Sequence, residues 1–315
     1  LTPPRARRAL ALLVFLITLA PPAFSVITRR QLSILAGMAD EWYHLGANLA
    51  VYGTLGLVRE PVVLRPPGYP AFVAAVLRSS LPRPAELTWE YMARGVHFVY
   101  AWQCVLLALS AAVLFLWLTD LLPVGIAFAG ALVYGANPYV VVLTGFLHYT
   151  ILHLFALTLA CYLLHRVLRR ADVRPAPVVL AGLAFGLAAL VRPVTLLLPV
   201  LFPFLLRWRW QRPWRSAGRA TLWFTLGMLL PILPWTARNL ALTGRVVPLG
   251  AQSWAALWGS TVKPLGFHPD HYGWYELVDD HVMPIFRRVT GQSEYEYAAF
   301  ARHNLAMEDA FRREA

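Results

Sequence analysis

VVLAGLAFGLAALVRPVTLLLPVLFPFLL, residues 178–206, is an apolar run whose one charge is Arg192, followed at once by Pro193. The break leaves halves of 14 and 13 residues. Each is short for a bilayer crossing, which takes about 20 residues of straight helix. A guanidinium in the middle of such a run is costly unless it turns into an aqueous cavity or finds a partner. The other reading of Arg192 is a side chain that snorkels to the lipid headgroups. Two short helices that turn back at Arg192 satisfy both the lengths and the charge.

Further apolar segments flank this run. Leu10 to Ile27 reads as a first span, kinked or ended by Pro21-Pro22. Tyr91 to Leu122, Val124 to Thr144 and Leu147 to Leu168 read as a second, third and fourth, and Ala220 to Trp235 as the last. The whole chain is 58% hydrophobic and only 14% charged, with a mean hydropathy of +0.55. Soluble domains carry about 25% charged residues, so lipid is the simplest solvent for this surface. Cys104 and Cys161 fall inside apolar stretches and read as small buried hydrophobes.

The net charge is +12, and Lys263 is the only lysine. The arginines stand in short runs between apolar segments, as in Arg5-Ala6-Arg7-Arg8 and Arg207-Trp208-Arg209. That pattern fits topology signals facing an anionic inner leaflet, and it argues against nucleic acid as a partner. Arg5 to Arg8 are expected inside. Residues 28–90 then form a long first outer loop with short interfacial helices. Arg166, Arg169, Arg170 and Arg174 return to the inside, as does the cluster from Arg207 to Arg219. Two crossings between these basic loops put Arg192 outside, giving about seven spans in all. The expected division is a transmembrane domain over 1–238 and an extracytoplasmic segment over 239–315. Asp40, Glu41, Arg65, His148, Arg192, Arg238 and Lys263 then share the outer face. The first segment has the basic flank and apolar run of a signal peptide, but no convincing cleavage site, and it reads as a retained span.

Asp40-Glu41 opens a helical pattern beside the membrane. Adjacent carboxylates there suit a general base or a cation site. The ordinary alternative is an N-cap at Asp40 and a dipole-favoured acid at Glu41. In Arg65-Pro66-Pro67-Gly68-Tyr69-Pro70, the prolines stiffen the chain before a helix. Arg65 is then either held to bind a phosphate or set among lipid headgroups. Arg238, in Pro234-Trp235-Thr236-Ala237-Arg238-Asn239, suits an ordinary interfacial flank. The pairs His148/His153 and His268/His271 lack a third ligand for zinc. Asp279-Asp280 is a weak metal signal.

In chain order the motifs are Asp40-Glu41-x-Tyr43, then Arg65 to Pro70, then Gly186-Leu187-Ala188-Ala189-Leu190-Val191-Arg192-Pro193. They continue as Pro234 to Asn239, Gly244-Arg245-Val246-Val247-Pro248 and Leu257-Trp258. With these in order, the chain resembles the GT-C-type glycosyltransferases. The resembling group is that of bacterial relatives of the family 39 protein O-mannosyltransferases and of the aminoarabinose transferase acting on lipid A. The likeness covers Leu10 to Gly259. It implies an all-α integral membrane fold that moves a sugar from a polyprenyl-phosphate donor to a lipid, polymer or protein acceptor. The setting would be the outer face of a bacterial plasma membrane, with the N-terminus cytoplasmic. It further implies Asp40 as the base of an inverting transfer, and Arg65, Arg192 and Arg238 as ligands of the donor phosphate. Glu41, Tyr43, Tyr69 and His148 would shape the substrate pocket. The resemblance fixes no cofactor, and a divalent cation, Mg or Mn, stays open.

The chain departs from the family pattern at two places. Where relatives often carry an acid near the start of span four, Thr150 stands in His148-Tyr149-Thr150-Ile151-Leu152. Relatives also continue with more spans, so a C-terminally truncated or reduced member is implied. Both departures favour a second reading, a non-catalytic or degenerate membrane subunit. A transporter is a third reading, suggested by the broken helix but opposed by the lack of paired repeats and of polar groups at the midplane.

Overall fold

The computed structural model describes residues 3–28, 41–57, 59–169, 174–210, 213–251, 282–294, 299 and 302–314. Within them the chain is an all-helical membrane protein with one small hairpin. Four helices are long and apolar enough to cross a bilayer: α1 (Pro4–Thr28), α4 (Trp89–Leu118), α7 (Thr150–Leu168) and α10 (Trp214–Thr243). Between α1 and α4 lie α2 (Glu41–Tyr52), strands β1 (Gly56–Leu57) and β2 (Glu60–Pro61), and α3 (Gly68–Ser80). α5 (Val124–Gly135) and α6 (Pro138–Leu143) follow α4. α8 (Pro175–Val191), a 3-10 turn (Pro193–Leu197) and α9 (Leu198–Trp210) follow α7. The tail carries α11 (Met283–Thr290) and α12 (Asn304–Glu314).

Among the described residues the long spans number four, where the sequence suggests about seven. The difference lies in two apolar segments that local chemistry cuts short. In 124–144 the helix stops at Gly135, and a new one starts at Pro138, capped by the Asn137 side chain, which accepts from Tyr139 N and Val140 N at 3.0 and 3.4 Å. Proline at the first helical position needs no donor there, so the pair reads as stop and restart. In 178–206, Arg192 leaves the helix with φ −148° and ψ 127°. Steric conflict with the following proline ring drives a residue to that extended region. By contrast, α1 runs on through Pro21 and Pro22, and α10 through Pro231 and Pro234. α10 ends only at Gly244, whose φ of +68° is the left-handed turn glycine allows.

The tightest seam is between α8 and α10. A Cβ at Gly182 would lie 2.1 Å from the Phe224 carbonyl oxygen, and one at Gly186 2.3 Å from that of Met228. Reciprocally, a Cβ at Gly227 would lie 2.2 Å from the Val179 carbonyl oxygen. Without a hydrophobic drive between helices in lipid, backbone approach over small residues supplies the packing. Phe185, Phe202 and Phe224 fill the adjoining core, with Phe202 stacked on Phe224 at 4.5 Å.

Charges stand at both ends of the bundle. At one end the Asp120 carboxylate meets Arg7 of α1 at 3.2 Å, Arg169 at 2.9 Å and His165 of α7 at 3.6 Å. This ties the start of α1, the turn after α4 and the end of α7. The other end begins at His148, before α7. The 19 residues of α7 span about 28 Å, close to the hydrocarbon thickness.

The tail completes the first loop. Leu45, Leu55, Val62 and Leu64 share one core with Met283, Ile285, Phe286, Met307 and Phe311. Arg302 Nε donates to Glu60 at 2.7 Å, and Arg245 pairs with Asp309 at 2.7 Å. Residues 238 and 239, at the boundary suggested by the sequence, are neighbours inside α10, where Asn239 is fully buried.

Gly186→Val is expected to lower the thermal midpoint in detergent steeply, because overpacking costs about 1–3 kcal/mol even where atoms can move, and here the neighbour is backbone. Gly218→Ala, where a Cβ meets nothing within 4 Å, is expected to leave the midpoint unchanged or slightly raised. Equal effects of the two substitutions on the melt would contradict the seam.

Candidate functional site

Four separate segments converge beyond the α8 end. Gly68, the first residue of α3, packs on the last turn of α8: a Cβ there would lie 2.7 Å from the Leu190 carbonyl oxygen and from Val191 N. That contact seats the Arg65-Pro66-Pro67 segment beside Arg192. The turn before α7 is fixed from α4. Gln103, fully buried, donates from Nε2 to the carbonyls of Thr144 and Phe146 at 2.9 Å each, and its Oε1 accepts from the Tyr69 hydroxyl at 3.0 Å. One amide thus ties α3 to the turn that presents His148 and Tyr149.

Around this point the side chains form one cluster. Arg65 makes an ion pair with Glu41 of α2, and its guanidinium lies 5.0 Å from the Trp42 ring centroid. Trp42 meets Tyr149 edge to face at 5.0 Å. Arg192 lies 5.5 Å from the Tyr149 ring on the same cluster. His148 stacks on Tyr149 at 3.9 Å, with Nδ1 2.7 Å from the Thr150 hydroxyl. Burial, then the charges of Arg65 and Arg192, hold the His148 imidazole below its ordinary pKa, so it is neutral at neutral pH.

Glu41, Arg65, His148 and Arg192 are therefore brought together. Asp40 lies outside the described residues, immediately before Glu41, as do Lys263, His268, His271 and the pair Asp279-Asp280. Tyr43 and Tyr69 are fully buried, and their hydroxyls are committed to Met92 O, at 2.6 Å, and to Gln103. Burial raises the Tyr43 phenol well above its usual range. Tyr69 touches the cluster through its ring, 6.4 Å from Trp42. Arg238 is not in the cluster. It donates to Val62 O at 2.9 Å, Leu55 O at 3.0 Å and Asn239 Oδ1 at 3.0 Å, with its guanidinium 4.4 Å from the Trp235 ring. It clamps the hairpin that leads to Arg65.

Sequence spacing does not single out Trp42, Tyr149 or Gln103. The signal for Gln103 was present, an amide within an apolar span; the aromatic pair had none beyond adjacency to charged residues. Among the described residues no group of three His, Cys, Asp or Glu could hold a metal ion. Two guanidiniums beside an aromatic surface and a carboxylate suit an anion joined to a ring-stacking group, as in a sugar phosphate. No protein-family model, curated protein or solved structure matches the chain.

The unfolded chain binds a proton at the ordinary histidine value of 6.5, above the folded one. Acid therefore selects against the fold, and this stability, constant above that value, is lost as pH falls below it. Melting followed from pH 7.5 down to 5 is expected to show a shallower acid loss in His148→Gln than in the native chain. Identical slopes would mean that burial and the two cations do not lower the His148 pKa.

Proposed function

We propose that the chain is a membrane glycosyltransferase that moves a sugar from a polyprenyl-phosphate carrier to a glycan, lipid or protein acceptor. The observation that carries this reading is the meeting of Glu41, Arg65, His148 and Arg192, from four distant segments, at one end of the apolar helices. Phosphate is a usable leaving group only where its developing charge is met by fixed cations. Arg65 and Arg192 supply that charge, with Glu41 orienting Arg65. The aromatic faces of Trp42 and Tyr149 suit the sugar ring. Asp40 takes the proton of the acceptor hydroxyl. The freed oxygen attacks the anomeric carbon from the side opposite the carrier, and the bonding pair leaves with the lipid phosphate. Arg238 acts at one remove, by holding the loop that carries Arg65.

The accompanying topology has about seven crossings, the four long helices plus 124–143 and the two halves around Arg192. The N-terminus is cytoplasmic in a bacterial plasma membrane, and the cluster faces outward. A divalent cation at Asp40 stays compatible with this scheme. The second reading, a non-catalytic subunit, draws on Thr150, which hydrogen-bonds His148 where relatives carry an acid.

In proteoliposomes supplied with polyprenyl-phosphate sugars, Asp40→Asn and Arg192→Gln are expected to cut transfer by about 10²–10³-fold, the range for removing one transition-state contact. Both variants should keep the native melting midpoint. Full transfer by Asp40→Asn would remove the base from the scheme. Absence of transfer by the native chain with every donor tested would favour the subunit reading.

A further inference from the structure

A second basic site lies at the far end of α2. α2 is 12 residues long, so its C-terminal end is about 17 Å from Glu41. An open cavity of about 460 Å³ there is lined by Val51, Tyr52, Thr54, Arg59, Arg83 and Pro84. The Arg59 guanidinium lies 5.2 Å from the Tyr52 ring centroid. Arg83 Nε donates to Val51 O at 2.7 Å, and Arg78 donates to Ala50 O at 3.1 Å and Leu49 O at 2.5 Å.

Capping the last carbonyls of α2 explains part of this arrangement. It leaves the charge unexplained. A helix end contributes about half a negative charge, against three guanidiniums. Four other described arginines around the first loop and tail pair with acids: Arg65 with Glu41, Arg245 with Asp309, Arg288 with Glu314, Arg302 with Glu60. Among the described residues, Arg59, Arg78 and Arg83 have no carboxylate partner, and Glu86 nearby in sequence makes no ion pair. Arg83 gives only Nε to the backbone, so its two terminal nitrogens remain for a ligand on the cavity side. Among the described residues Arg59 makes no hydrogen bond, and its guanidinium rests on the Tyr52 ring.

We propose that this cavity binds a phosphate group through Arg59 and Arg83, as a site separate from the Glu41–Arg65 cluster. The group is either a lipid headgroup phosphate or a free phosphate. The site does not rest on the transferase reading. A phosphoryl group matches paired guanidiniums in charge and in the number of acceptor oxygens.

The test is a native mass spectrometry titration of the purified full chain in detergent. Inorganic phosphate, dioctanoyl phosphatidate and dioctanoyl phosphatidylcholine serve as probes. Saturable binding of one of the two anions is expected, weakened about tenfold by Arg59→Gln, the size of one charged contact. Binding of inorganic phosphate identifies the free anion as sufficient. Binding of phosphatidate with inorganic phosphate silent identifies the headgroup. Arg83→Gln should weaken the same anion, and its melting midpoint reports separately on the lost cap at Val51. The proposal is overturned if neither anion binds. It is overturned equally if phosphatidylcholine binds as well as phosphatidate, or if Arg59→Gln leaves binding intact.

Discussion

Hydrocarbon offers no partner to a charge or an unpaired backbone group, and the layout of this chain follows from that. Asp120 collects Arg7, His165 and Arg169 at one end of the helices. Glu41, Arg65, His148 and Arg192 gather at the other. Between the two ends several of the buried polar groups are tied to one another, although His153 Nδ1 in α7 has no hydrogen-bond partner among the described residues. Ser110 meets Tyr134 at 2.8 Å and Thr158 at 3.2 Å, and Gln103 has its oxygen and nitrogen both engaged. The spans thus hold two charged layers apart. What happens in either layer depends on the loops and helix ends that reach it.

Arg192 shows how one such layer is assembled. Proline after it disfavours the helical conformation, and here the chain leaves the helix where the guanidinium needs water. The glycine seam between α8 and α10 fixes where that turn sits. Gly68 lets the α3 start lie on the α8 end, and Arg238 pins the preceding hairpin by its carbonyls. The cluster is therefore a product of close backbone contacts made elsewhere, with side chains meeting as a result.

Much of the architecture was legible in the residues themselves. Long apolar runs declare helices in lipid, and Arg192-Pro193 announces its own break by local sterics. Arg65 and Arg192 each stood out as a cation beside proline, and their grouping, with Arg238, came only from the family resemblance. The role of Arg238 was hidden, because a guanidinium bound to carbonyls 176 and 183 residues away leaves no trace in spacing. The hydroxyls of Tyr43 and Tyr69 look like pocket chemistry in a motif, yet their acceptors lie in α4. Asp120 was hidden for the same reason: its partners come from α1 and from the end of α7. Spacing reveals what neighbours along a chain can do, and these contacts join distant segments.

The shared core of the first loop and the tail sets an order of events during synthesis. Leu55 and Phe286 lie in one apolar cluster, but more than two hundred residues separate their emergence from the ribosome. At about 5–20 residues per second that interval is on the order of 10–50 seconds. Throughout it, Leu45, Leu55, Val62 and Leu64 lack the part of their native cover that the tail supplies. A nascent chain of this kind needs a shelter, such as a lipid surface or a holding chaperone, until α11 and α12 arrive to close the fold.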